Sequence, residues 1–134
     1  MTVTGDEKAD SLRILIVEDE PSVMTFIRAA LERHGYAAES AETGARALEL
    51  LQTRTYAGII SDMRTPGGVD GADVWTWVQK NRPELLGKLI FVTGDIVNQE
   101  TAATLQRTGA PYVEKPFRVA QLLAVVERVV GKSQ

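Results

Sequence analysis

Cysteine is absent from the 134-residue chain, which excludes a disulfide framework and thiolate chemistry. The absence says nothing of compartment, because reducing and oxidising surroundings both permit it. Histidine occurs once, at His34, which is too few for a metal site built on imidazole. No run approaches the roughly 18 consecutive apolar residues that a membrane-spanning helix needs. The opening MTVTGDEKAD has neither the basic start nor the apolar segment of a signal peptide. The resulting expectation is cytoplasmic residence with no membrane partner. A clustered basic face is missing too, since the fifteen Lys and Arg are scattered and the net charge is −3. Affinity for phosphate backbones comes from clustered cations, so direct nucleic-acid binding is not expected.

What is present is the composition of a soluble globular domain, with 44% hydrophobic and 25% charged residues. The length suits one domain with one core. Residues 1–11 are polar and without periodicity, which predicts a flexible N-terminal arm ahead of a folded domain over residues 12–131. Within that domain short apolar runs alternate with amphipathic stretches. Leu12–Val17 reads as a strand buried on both faces. Pro21 opens a helix carrying Val23, Phe26, Ile27, Ala30 and Leu31 at helical spacing, with Gly35 as its stop. His34 falls at the end of that helix, where a cation suits the dipole.

Tyr36–Ala41 is a weak second strand, and Thr43 is placed to cap a helix from Gly44 to about Thr53. Tyr56–Ser61 is a third strand that delivers Asp62 into the loop Met63–Asp70. Val74, Trp75 and Val78 mark a third helix ending near Asn81, and Trp75 and Trp77 cannot share its buried face. Leu89–Val92, a helix from about Asn98 to Arg107, Tyr112–Glu114 and a last helix from about Arg118 to Val130 complete the pattern. The last helix carries Val119, Leu122, Leu123, Val125, Val126, Val129 and Val130, a broad apolar arc whose edge is a candidate homodimer surface. Five βα units with short connections predict an α/β fold, a parallel sheet covered on both faces.

Ligands of such sheets bind beyond the carboxyl ends of the strands. Glu18, Asp19, Asp62, Thr93 and Lys115 all fall there. Two carboxylates about 4 Å apart repel by roughly 4 kcal/mol at an effective dielectric near 20, so a cation is required. Oxygen ligands suit Mg²⁺, with the Arg64 backbone carbonyl as a further candidate. Asp62 then reads as a phosphate-accepting nucleophile, with Lys115 as a point charge and the Thr93 hydroxyl as a donor to the phosphoryl oxygens. These last two would also sense the phosphoryl group.

The acidic pair Glu18-Asp19, Asp62 with Pro66 four residues on, Thr93-Gly94 and Lys115-Pro116-Phe117 resemble the receiver domain of the two-component response-regulator family. The resemblance implies a flavodoxin-like doubly wound (βα)5 fold with strand order 2-1-3-4-5. It implies phosphotransfer onto Asp62 from the phosphohistidine of a histidine kinase or a histidine phosphotransfer domain. It further implies Mg²⁺ held by Asp19, Asp62 and the Arg64 carbonyl, with Glu18 acting through water. A cis peptide before Pro116 and a rotamer switch at Tyr112 belong to the same pattern. Its FVTGD and RTGAPYVEKPF segments look most like receivers of hybrid histidine kinases. The loop PGGVDG departs from the pattern by one extra residue.

Such a domain is a switch whose only chemistry is to accept phosphate and slowly lose it. The principal alternative is a Mg²⁺-dependent aspartyl-phosphate phosphohydrolase. That enzyme favours a second acid two residues after its nucleophile, where Arg64 stands here, and needs a substrate pocket. A dinucleotide-binding module is opposed by the lack of GxGxxG after the first strand. An interaction module that is never phosphorylated is the remaining alternative. Arg64 and Asp95 are also expected to form an ion pair over Asp62 that lengthens the life of the acyl phosphate.

Overall fold

The computed structural model describes residues 12–131; the arm expected over residues 1–11 lies outside them. Each apolar run is a strand followed by a helix: β1 (Arg13–Val17), α1 (Pro21–Arg33), β2 (Ala37–Ala41), α2 (Gly44–Thr53), β3 (Gly58–Asp62), α3 (Gly71–Asn81), β4 (Leu89–Thr93), α4 (Gln99–Thr108), β5 (Tyr112–Glu114) and α5 (Val119–Val130). The strands make one parallel sheet in the order β2-β1-β3-β4-β5, the expected doubly wound arrangement. Among the described residues no helix is long and apolar enough to cross a membrane.

The sheet divides the core in two because successive strand residues point to opposite faces. Ile14, Ile16, Ile60, Ile90 and Val92 pack with Ile27 and Leu31 of α1 and Leu122 and Val126 of α5. Leu15, Val17, Ile59, Leu89 and Phe91 pack on the other face with Ala47 and Leu51 of α2 and Val74 and Val78 of α3. Full burial of one such large side chain contributes about 1.5–3 kcal/mol, so both faces are needed.

Three of the helices, α2, α3 and α4, start where a side chain accepts an orphan amide. Thr43 accepts from Arg46 N at 3.0 Å, and Asn98 Oδ1 from Thr101 N at 3.1 Å. Asp70 and Asp73 cap α3 reciprocally, each side chain accepting the other's backbone N–H. Edge strand β2 is held by its polar residues. Arg28 donates to Ser40 Oγ at 2.7 Å on one face, while Arg54 (2.6 Å) and the Tyr56 hydroxyl both donate to Glu39.

Several local outcomes differ from expectation. Pro83–Lys88 forms a 3-10 turn whose Leu85 is buried, a six-residue element too short to show a helical period. Tyr36 precedes β2 rather than starting it; its ring is buried and its hydroxyl donates to Gly131 O at 2.6 Å. The apolar arc of α5 is used in packing, with Leu122, Leu123 and Val126 buried and Val119, Val125, Val129 and Val130 against the same cluster. Among the described residues the exposed large apolar side chains are Phe26, Val97 and Tyr112, while Val119, Val125, Val129 and Val130 of α5 stay partly exposed along its edge. Trp75 is core and Trp77 lies half-buried at its margin, the division expected for that pair.

Candidate functional site

The carboxyl ends of β1, β3, β4 and β5 bring five of the expected residues together. Glu18 continues β1 by donating its N–H to Ala41 O at 3.0 Å, which holds its side chain 2% exposed beneath the site. Its Oε2 accepts from Glu20 N at 3.1 Å. Asp62 ends β3 in register with Val92, and Lys115 is tied to the end of β4 through Lys115 N to Thr93 O at 2.7 Å. The Lys115–Pro116 peptide is cis, as expected.

Lys115 Nζ stands 3.3 Å from both Glu18 Oε1 and Asp62 Oδ2. One carboxylate oxygen from each of Glu18, Asp19 and Asp62 lies within 4.8 Å of the others. Three acids therefore face one ammonium, an unbalanced set of hard oxygen donors of the kind that holds Mg²⁺. Electrostatics register the imbalance. Burial, and then the charge of Asp62, push the Glu18 carboxyl above its ordinary value against the pull of Glu20 N–H and Lys115. Burial works against the charge of Lys115, but Asp62 and Glu18 outweigh it and raise its pKa.

Asp62 Oδ1 accepts from Arg64 N at 3.3 Å, so the loop turns back over the acid immediately after β3. The Thr93 hydroxyl is buried and accepts from Asp95 N at 3.3 Å, leaving its O–H to donate. Asp62, Arg64, Thr93, Thr101 and Lys115 line a mouth of about 280 Å³. Beside it an apolar groove of about 540 Å³ runs between Val23 and Phe26 of α1 and the Lys115–Phe117 turn, with the Phe26 and Phe117 rings 5.7 Å apart. Tyr112 is away from this mouth, 43% exposed on β5.

The Arg64–Asp95 ion pair does not form. Asp95 Oδ1 instead accepts from Asn98 N at 3.2 Å, because a short acid three residues before a helix start meets the nearest free amide first. Sequence reasoning also missed Thr101, buried at the mouth from α4, and the close approach of Gly44 and Gly71 to the loop after Asp62. Neither carries a periodic signal.

Fold and site together define a flavodoxin-like domain built around an acidic centre that calls for a cation. A family profile described as the response regulator receiver domain matches residues 14–127. The receiver domain of a sensor histidine kinase from Pseudomonas aeruginosa PAO1, solved with a magnesium ion coordinated in its active-site cleft, is similar with a TM-score of 0.80. It is 28% identical, over 90% of this chain and 98% of that one. A CheY-like receiver domain protein from Methanospirillum hungatei JF-1 gives a TM-score of 0.77 at 28% identity, over 87% of this chain and 90% of that one. The transcriptional activator protein IrlR of Burkholderia pseudomallei is 32% identical over 123 residues, 92% of this chain and 52% of IrlR. The DNA-binding transcriptional regulator NtrC of Escherichia coli is 28% identical over 121 residues, 90% of this chain and 25% of NtrC. The chain thus spans about half of IrlR and a quarter of NtrC. It belongs to the response regulator receiver domain family, the phosphoacceptor modules of two-component signalling.

Proposed function

We propose that Asp62 is the phosphoacceptor of this receiver and that Mg²⁺ is its cofactor. The observation that carries the reading is Lys115 Nζ at 3.3 Å from both Glu18 and Asp62, in a cluster where three acids outnumber one cation. Asp19, Asp62 and the Arg64 carbonyl would hold the ion, with Glu18 acting through water. When bound, the ion neutralises the carboxylates and the incoming phosphoryl oxygens.

The protein's own residues do the rest. An Asp62 carboxylate oxygen attacks the phosphorus of a phosphohistidine. The new O–P bond forms as the P–N bond breaks, and its electron pair stays on the imidazole of the donor. Lys115 exchanges its carboxylate partners for a phosphoryl oxygen, and the Thr93 O–H donates to another. Both moves alter the loops after β4 and β5, with Tyr112 as the side chain that switches. The donor is a histidine kinase or a histidine phosphotransfer domain, and the apolar groove beside Lys115 is where its helix would rest. Loss of phosphate is slow self-hydrolysis rather than turnover of a free substrate.

Intact mass after incubation with acetyl phosphate, with and without Mg²⁺, tests the assignment on wild type and Asp62→Asn. One phosphoryl group gained only with Mg²⁺ and only by wild type is the expected result. An adduct that persists in Asp62→Asn would remove Asp62 from this role.

A further inference from the structure

Two glycines hold the loop that follows Asp62. A Cβ on Gly71 would lie 2.5 Å from Asp62 O and 3.0 Å from Met63 Cα. A Cβ on Gly44, the first residue of α2, would overlap Val69 O and lie 2.7 Å from Val69 Cγ1. The obstructing atoms at both positions include backbone, which no rotamer change can move aside. Val69 O is a junction, because it also accepts from the Thr65 hydroxyl and so closes residues 65–69 into a ring. The tip of that ring is Gly67-Gly68, with φ of +88° and +85° and open space around both. The loop is therefore fixed at its base and has open space at its tip.

Thr65 directly follows Arg64, whose N–H already meets Asp62 Oδ1. We propose that Gly44 is a positioning residue for the cation site. By letting α2 begin flush against Val69 O, it preserves the Val69–Thr65 hydrogen bond, and that bond sets where the Arg64 carbonyl stands relative to Asp62. The inference rests on the reading of Asp19, Asp62 and the Arg64 carbonyl as Mg²⁺ ligands. A side chain at position 44 would push the Val69 carbonyl outward, open the ring and turn the Arg64 carbonyl away without touching any carboxylate.

Calorimetric titration with MgCl₂ of wild type, Gly44→Ala, Thr65→Val, Thr65→Ser and Gly58→Ala separates the possibilities. Gly58→Ala is the strain control: its Cβ would lie 2.6 Å from Val130 Cγ2 at the opposite end of β3. Gly44→Ala and Thr65→Val are expected to weaken Mg²⁺ binding about tenfold, as loss of an outer-shell partner does. Thr65→Ser, which keeps the hydroxyl, restores it. Gly58→Ala lowers Tm and leaves the affinity at the wild-type value. Wild-type affinity in Thr65→Val, or an equal loss in Gly58→Ala, overturns the clamp while leaving the cation site standing. If Gly44→Ala does not fold, the Thr65 pair decides alone. A wild-type chain that binds no Mg²⁺ overturns the cation reading itself, and the clamp with it.

Discussion

Lys115 pairs with two of the three acids it faces, and the cost of losing it can be argued from its surroundings. Removing one partner of a fully buried pair costs about 3–5 kcal/mol, and Lys115, one quarter exposed, should fall below that range. Lys115→Ala is expected to lose about 1–2 kcal/mol in urea unfolding at pH 7 without Mg²⁺. The deficit should shrink when Mg²⁺ is added, because the ion takes over the missing charge. A deficit that Mg²⁺ leaves unchanged would mean that Lys115 acts through packing alone. At the far end of the sheet Tyr56 makes a second, independent case. Burial, and then the Glu39 hydrogen bond and charge, push its phenol above the ordinary value. Below about pH 10 the phenol is protonated whether the chain is folded or not, and its contribution to stability is complete. As pH rises further the unfolded chain ionises first, so stability falls through that window. Wild type should therefore lose stability above pH 10 more steeply than Tyr56→Phe. Equal alkaline slopes in the two proteins would contradict this.

The elements are not equally anchored, and the difference is greatest between α4 and α5. In α4 Thr101 alone is buried; Leu105 rests half-buried on the core and the Arg107 guanidinium lies 5.6 Å from the centre of the Trp75 ring. A cation–π contact of that kind contributes about 0.5–1 kcal/mol at an exposed site. By contrast α5 buries Leu122, Leu123 and Val126, and its last turn is tied by Lys88 Nζ to Val129 O at 3.0 Å and by the Tyr36 hydroxyl to Gly131 O. Amides of α4 are expected to exchange with solvent deuterium faster than those of α5, and faster again in Arg107→Ala. Equal protection of the two helices would show that α4 is held by something other than these few contacts. A loosely held helix directly after the Thr93 loop is the element best placed to respond if Thr93 takes a phosphoryl oxygen as proposed.

For the molecule as a whole, the proposed cation site would link stability to cation concentration. A ligand at one hundred times its Kd adds about 2.7 kcal/mol to the folded state. Mg²⁺ should raise the Tm of wild type in a concentration-dependent way and do so far less in Asp19→Asn, which removes one acid from the cluster. An equal rise in both would point to general ionic strength. The alternation of strands and helices and the meeting of Glu18, Asp62, Thr93 and Lys115 were legible in the sequence because apolar runs end at those residues, while the strand order followed from the resemblance to receiver domains. The 3-10 turn at Pro83–Lys88, the contact of Gly44 with Val69 and the turning of Asp95 to Asn98 were not. Each depends on distances between segments, or on which of two nearby partners an acid meets first, and a linear pattern records neither.

The central residues of β2 have a consequence for how the protein behaves in company. An outer strand offers unpaired amides and carbonyls to any passing chain, and a flat apolar one invites stacking into fibrils. Here β2, one of the two outer strands, reads AAESA, with a carboxylate and a hydroxyl at its middle, each already engaged by an arginine of its own chain. Another strand laid alongside would have to dislodge that arginine cover from both faces before its own side chains could pack. The residues that weaken β2 as a strand thus serve as gatekeepers against aggregation along that edge of the sheet.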